Sequence, residues 1–228
     1  MRTKVIATYG PGIDRLSVLR EAISSGVDIV RLNSKYVKAD KCNVIRADVL
    51  KVGNAKIMVD VKDRRKIKDW VQKRFDYLAI SFAESAVEVE KIRKMFPKRV
   101  KIISKIETKK GVLNIDKLIS VSDGIMIARG DLGRDVSYEK VPMIQKMITK
   151  RCNKKKKMSI TATEMMPSML RFVRPSRAEV SDVANAILEG SEALMLAEET
   201  ATGKHPVLAI KAMVKIIKET EKHIREFR

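Results

Sequence analysis

Residues 99–133 read RVKIISKIETKKGVLNIDKLISVSDGIMIARGDLG, and the fold turns on how this stretch is read. It holds two apolar runs, each ending in ionisable residues. Ile102 and Ile103 lead into Lys105-Ile106-Glu107, and Ile125-Met126-Ile127 lead into Arg129-Gly130-Asp131. Runs of this length, rich in β-branched residues, predict buried strands, here Val100–Glu107 and Gly124–Arg129, with a helix over Gly111–Val121 between them. Taken singly, either cluster reads as solvated loop charge. Two in succession predict the rim of an active site, because parallel barrels carry their chemistry at the C-terminal ends of their strands.

The same strand–helix unit extends both ways along the chain. Strands are expected at Val5–Gly10, Asp28–Asn33, Lys56–Lys62, Tyr77–Phe82, Ser159–Glu164 and Ala193–Ala197. Helices are expected at Ser17–Ser25, Ala39–Val52, Ile67–Lys73, Ser85–Met95, Tyr138–Asn153, Ser176–Leu188 and Pro206–Phe227, with Gly26, Gly53 and Gly190 as C-terminal stops. Eight strands that read as apolar runs rather than alternating ones imply a parallel sheet covered on both faces. The expectation is therefore α/β, a single (β/α)8 TIM barrel over residues 1–228. A doubly wound open sheet is the alternative, weakened because no GxGxxG follows the first strand.

Composition narrows the function. Of 228 residues 45% are hydrophobic and only 6 are Pro, so a packed core is expected rather than disorder. No apolar run approaches the ~20 residues of a membrane span. The start, MRTKVIATYGPG, has no signal-peptide apolar region, and Cys42 and Cys152 lack CxxC spacing, so a cytoplasmic location with reduced, packed thiols is expected. A net charge of +20 invites a nucleic-acid reading, but only 4% of residues are aromatic and the lysines are spread over nearly every helix. A positive field that draws in anionic metabolites fits the charge without a nucleic-acid partner.

In a barrel the strand ends face one site. They supply Arg31 and Asn33, Asp60 and Lys62, Ser81 and Phe82, Lys105 and Glu107, Arg129 and Asp131, Thr161 with Thr163 and Glu164, and Glu198 with Glu199. Glu107 and Asp131 are hard oxygen donors suited to Mg²⁺ or Mn²⁺. Arg31 and Lys105 suit developing phosphate or enolate charge, and the Gly130–Gly133 segment opens a helix whose N–H groups suit a carboxylate. The bland readings are an Arg129–Asp131 loop ion pair and a rim lysine paired with Glu107.

The chain resembles the pyruvate kinases. The match runs through Arg31-Leu-Asn33, Asp60-Val-Lys62, Ser81-Phe82, Ser104-Lys105-Ile-Glu107 and Asp123-Gly-Ile-Met-Ile-Ala-Arg129-Gly-Asp-Leu-Gly133. It continues in Thr161-Ala-Thr163, the run from Arg174 to Asn185, and Glu199-Thr-Ala-Thr-Gly-Lys-His-Pro206. The resemblance implies a barrel that binds phosphoenolpyruvate and a divalent metal, with ADP as phosphoryl acceptor. By position, Glu107 and Asp131 would hold the metal, and Arg31 would contact phosphate. Lys105 would stabilise the transferring group and the enolate, while Thr163 would stand by the carbon that takes the proton. The backbone of Ala128, Arg129, Gly130 and Asp131 would bind the substrate carboxylate, with Ser81 and Asn33 alongside. Arg177 and Glu179 read as barrel support or a subunit contact, so a homo-oligomer is compatible.

Departures from the family pattern cluster near these residues. The lid domain usual after strand three and the C-terminal regulatory domain are expected to be absent. In the monovalent-cation position formed by Asn33, residue 35, Asp60 and residue 61, the usual Ser and Thr are Lys35 and Val61, and a usual histidine is Tyr36. Lys35, or an arginine of Arg64–Arg65, is therefore expected to replace K⁺ with a fixed charge. Glu164 stands for a glutamine, Pro167 for a glutamate and Glu198 for a glycine. Three functions follow as expectations: a minimal phosphotransferase, a metal-dependent lyase or decarboxylase of 2-oxo acids using the same enolate site, or a binding barrel without turnover.

Overall fold

A computed structural model describes residues 3–224 and Glu226. Eight parallel strands close into a barrel in sequence order. They are β1 (Lys4–Thr8), β2 (Ile29–Asn33), β3 (Lys56–Val61), β4 (Tyr77–Ile80), β5 (Lys101–Ile106), β6 (Gly124–Ala128), β7 (Met158–Ala162) and β8 (Ala193–Leu196). Around them lie α1 (Leu16–Ser24), α2 (Cys42–Val52), α3 (Ala86–Arg93), α4 (Lys109–Leu113), α5 (Ile115–Val121), α6 (Arg129–Val136), α7 (Val141–Lys154), α8 (Arg177–Leu188), α9 (Glu198–Ala201) and α10 (Pro206–His223). The TIM-barrel expectation holds.

Alternation along the strands places the site. Ile6, Ile29, Met58, Ala79, Ile103, Met126 and Met195 pack together inside the barrel, while their neighbours, such as Val30, Val59 and Ile102, join the larger apolar layer under the helices. Because strand side chains alternate with period two, the residue two places after each interior apolar one also points inward, one layer higher. That rule gives Thr8, Arg31, Asp60, Ser81, Lys105 and Ala128. The polar strand ends are thus the top layer of the barrel interior, resting on an apolar plug.

The opposite end is sealed by a repeated seam. Asp28, Asp76 and Asp123 each precede an even-numbered strand and accept, at 2.8 Å, the backbone N–H of Val5, Ile57 and Ile102 on the odd strand before. The same three aspartates donate their own N–H to the carbonyls of those residues. Their carbonyls in turn accept from Lys56, Lys101 and Met158 at the start of the next odd strand. Glu192 keeps the backbone part of this pattern, donating to Ser159 and accepting from Lys4.

Several boundaries differ from expectation for local reasons. The helix expected over Gly111–Val121 is two helices, α4 and α5, broken at Asn114, whose side chain donates to the Glu84 carbonyl. The helix expected over Ile67–Lys73 is a 3₁₀ turn over Arg64–Trp70 begun by the Asp63 side chain, which accepts from the Arg65 N–H. The helix expected from Tyr138 begins at Val141, after a 3₁₀ turn, with Pro142 in its first turn. Arg129, expected as the end of a strand, starts α6. Helix α10 is described to His223, and its expected extension to Phe227 reaches residues outside those described. Gly26 and Gly190 do close α1 and α8 with positive φ of 117° and 96°, whereas Gly53 ends α2 in extended backbone.

The connection from β3 to β4 is residues 62–76, with no inserted domain. Cys42 and Cys152 are buried, free thiols, and burial pushes them up to about 11 and about 12, so both are unreactive packing residues. Among the described residues no helix is long and apolar enough to cross a membrane.

The seam has a measurable acid limb. Burial raises the Asp123 carboxyl, but the Ile102 N–H with the charges of Arg93 and Lys101 outweighs it and holds the group below the usual carboxylate range. A depressed native value makes its stabilisation complete above the unfolded value, ~3.9, and lost as pH falls through the native one. Asp123→Ala should lower stability in urea by roughly 1–3 kcal/mol at pH 7, and the deficit should shrink as the pH is taken below ~4.

Candidate active site

The top layer of the barrel interior floors a cavity of about 380 Å³ whose walls include Arg31, Asp60, Lys105, Glu107, Asp131 and Thr163. At its base Asp60, 1% exposed, gathers cations from two other strands. Arg31 on β2 sets Nε at 2.9 Å and Nη2 at 2.7 Å from one carboxylate oxygen. Lys105 on β5 donates to the other oxygen at 3.2 Å, and the Ser81 hydroxyl donates to it at 3.3 Å. The third guanidinium nitrogen of Arg31 donates to Thr8 Oγ1 at 2.9 Å, and Thr8 in turn donates to the Leu196 carbonyl on β8.

Lys105 is 7% exposed, and its ammonium is held on three sides. Besides Asp60 it reaches Ser81 Oγ at 3.0 Å and Glu107 at 3.1 Å, which uses all three of its donors. Glu107 also accepts the Phe82 N–H at 2.6 Å. Phe82 has a positive φ of 51°, which turns this N–H inward. The cluster contains two cations and two carboxylates, so it is neutral overall in a place where an unpaired charge is costly.

The two carboxylates titrate apart. At Asp60 burial raises the group, but Lys105 and Arg31 together overcome this and hold it below the carboxylate range. At Glu107 burial wins over Lys105 and the Phe82 N–H, and the group is raised. One acid is locked ionised while its neighbour keeps affinity for a proton, a separation that marks functional clusters.

Across the cavity, α6 opens with Ala128 as its N-cap and no side chain capping it. The Gly130 N–H donates to Thr163 Oγ1 at 2.9 Å, and the Thr163 hydroxyl donates to the Ala162 carbonyl at 2.6 Å. Asp131 is on the wall, paired with Arg134 at 3.0 Å on the exposed side. Glu107 and Asp131, hard oxygen donors in one cavity, fit a divalent ion that takes one or two carboxylates and completes its shell with substrate and water. Among the described residues no group of three or more His, Cys, Asp or Glu converges as a metal cage, so the chain's own share would be these two.

Other expected residues lie elsewhere. Ser81 is fully buried behind Lys105 and orients it, rather than lining the cavity. Val61 packs in the outer apolar layer. Asn33 is on the wall, its side-chain oxygen accepting the Lys35 N–H at 2.9 Å. Lys35 sends its ammonium to Glu198 at 3.2 Å, so two departures from the family pattern pair with each other on the exposed rim. Of the candidate replacement charges, Lys35 is on the cavity wall, while Arg64 donates to the Ser81 carbonyl at 3.0 Å and pairs with Glu88. Arg65 pairs outward with Asp63.

The bland alternative, an Arg129–Asp131 loop ion pair, does not form. The Arg129 guanidinium turns away from the cavity to the Thr163 and Glu164 carbonyls, Asp182 and Gln145. Sequence reading missed Thr8, Gln145 and Asp182. Gln145 had a faint signal as a polar residue on the apolar face of α7, and Asp182 lay inside a quoted motif without a role. Glu179 supports the barrel: it forms a capping box with Ser176 and binds the Ser168 N–H at 2.7 Å.

Comparison with known proteins identifies the family of the barrel. The family described as pyruvate kinase, barrel domain, matches residues 38–210. A pyruvate kinase of Geobacillus stearothermophilus is 40% identical, covering 96% of this chain and 40% of its own length. One of Chlamydia pneumoniae is 43% identical over 89% of this chain and 42% of its own. One of Dictyostelium discoideum is 47% identical over 72% and 33% respectively. The chain therefore spans less than half the length of these curated relatives. On the strength of the matched barrel domain and these identities, the chain belongs to the pyruvate kinase family.

Proposed function

We propose that the chain binds phosphoenolpyruvate and transfers its phosphoryl group to ADP, yielding ATP and an enolate that takes up a proton to become pyruvate. The observation that carries this reading is the neutral Arg31–Asp60–Lys105–Glu107 cluster facing Thr163 and the start of α6 across one cavity. Arg31 and Lys105, already fixed in place by Asp60, need no reorganisation to meet negative charge as it develops, which is where such cations act most strongly. The opening N–H groups of α6, apart from that of Gly130, which Thr163 holds, orient the substrate carboxylate. Thr163 holds its hydroxyl at the side where the enolate carbon is protonated. Glu107 and Asp131 would hold a divalent ion, whose charge would stabilise negative charge on the substrate oxygens.

Asp60 is neutralised by Arg31 and Lys105, and Arg64, itself paired with Glu88, fixes a guanidinium against the Ser81 carbonyl at the end of β4. The reaction is therefore independent of added K⁺. A second reading, enolate chemistry on 2-oxo acids without phosphoryl transfer, is favoured by the short β3–β4 connection, because a barrel with no lid there leaves its mouth open to water.

Incubation of the chain with phosphoenolpyruvate, ADP and Mg²⁺ in K⁺-free buffer should give pyruvate and ATP, and oxaloacetate decarboxylation without nucleotide turnover would select the second reading. Lys105→Ala should reduce kcat by roughly 10²–10³-fold; an unchanged rate would reject the site. Adding K⁺ should leave the rate within about twofold, whereas Arg64→Ala should make it K⁺-responsive, as expected when a fixed charge is exchanged for a diffusible one.

A further inference from the structure

Thr163 and Glu164 are consecutive residues with left-handed backbone, φ 66° and 53°, and neither is a glycine. Side-chain-bearing residues hold that conformation in succession only where their surroundings impose it. Here the surroundings are one guanidinium. Arg129 Nε and Nη2 donate to the Thr163 carbonyl at 3.1 and 3.0 Å, and Nη2 also donates to the Glu164 carbonyl at 2.7 Å. The fork reads both strained peptides at once, and it is 11% exposed.

The fork is itself aimed. Its remaining nitrogen, Nη1, meets Asp182 of α8 at 2.8 Å and Gln145 Oε1 of α7 at 3.4 Å. Gln145, 4% exposed, is fixed in turn by donating to Glu189 at 2.8 Å. The end product of this chain is the Thr163 hydroxyl, accepting from the Gly130 N–H and donating to the Ala162 carbonyl. We infer that Asp182 is a positioning residue for Thr163: through Arg129 it holds the strained Thr163–Glu164 turn that places the hydroxyl against the start of α6. The inference rests on the proposed role of Thr163 beside the enolate carbon. Arg129 is by the same argument a clamp rather than a substrate ligand, and its charge is spent on the protein's own carbonyls and Asp182.

Asp182→Ala and Asp182→Asn in the full chain test this with three measurements: the melting temperature, amide hydrogen exchange at Gly130, and kcat and KM for phosphoenolpyruvate. Asp182→Ala is expected to melt within a few degrees of wild type, and its Gly130 amide to exchange at least about tenfold faster. Its kcat should fall roughly 10- to 100-fold with KM changed less than about threefold, since misplacement of a reacting group costs rate rather than affinity. Asp182→Asn, which keeps shape and an acceptor, should fall between the two. Unchanged Gly130 exchange overturns the inference, and so does faster exchange with unchanged kcat, or a fall in kcat matched by a rise in KM. If Asp182→Ala does not fold, the same criteria apply to Asp182→Asn. A wild type that does not turn over phosphoenolpyruvate refutes the functional reading instead, and Gly130 exchange then decides alone whether Asp182 sets the turn.

Discussion

One buried carboxylate organises the mouth of this barrel. Asp60 is shut off from solvent, a position that is costly for an ionised group unless cations meet it directly. Arg31 and Lys105 do so from β2 and β5, on either side of β3 in the strand order. Removing Asp60 would not simply delete a contact. It would leave Lys105 with Glu107 and Arg31 without the carboxylate that holds it, and the two cations would separate. The attraction that steadies the fold's open end is thus the same one that holds two cations ready for an anionic ligand.

The barrel makes that arrangement inexpensive to specify. Strand periodicity carries the polar layer upward from the apolar plug of Ile29, Met58 and Ile103 without special loops. The remaining elements of the site need more elaborate support. The start of α6 and the end of β7 meet through Thr163, whose unusual backbone is held by Arg129 from outside the cavity. One half of the site is therefore positioned by strand register, the other by a clamp reaching back to α7 and α8.

This division explains what the sequence revealed. Continuous apolar runs and glycine stops made the eight strands readable, and the polar strand ends marked Arg31, Asp60, Lys105 and Glu107 because period-two geometry fixes where such residues point. Partners were less legible, because they depend on tertiary approach. Ser81 looked like a wall residue until Lys105 was seen to lie over it. The sequence left open a bland pairing of Arg129 with its neighbour Asp131, whereas the helical turn of α6 sends its side chain towards Asp182, 53 residues away. The aspartates before β2, β4 and β6 were in plain view, but their bonds to the strands before them emerge only on closure of the barrel.

The most direct test of the central role of Asp60 is a calorimetric titration of phosphoenolpyruvate into wild type and Asp60→Asn, both with saturating Mn²⁺. Substitution should weaken binding by at least about tenfold, a loss of ~1.4 kcal/mol or more, while the circular dichroism spectrum stays that of a folded barrel. Equal affinity in a folded Asp60→Asn protein would contradict the account.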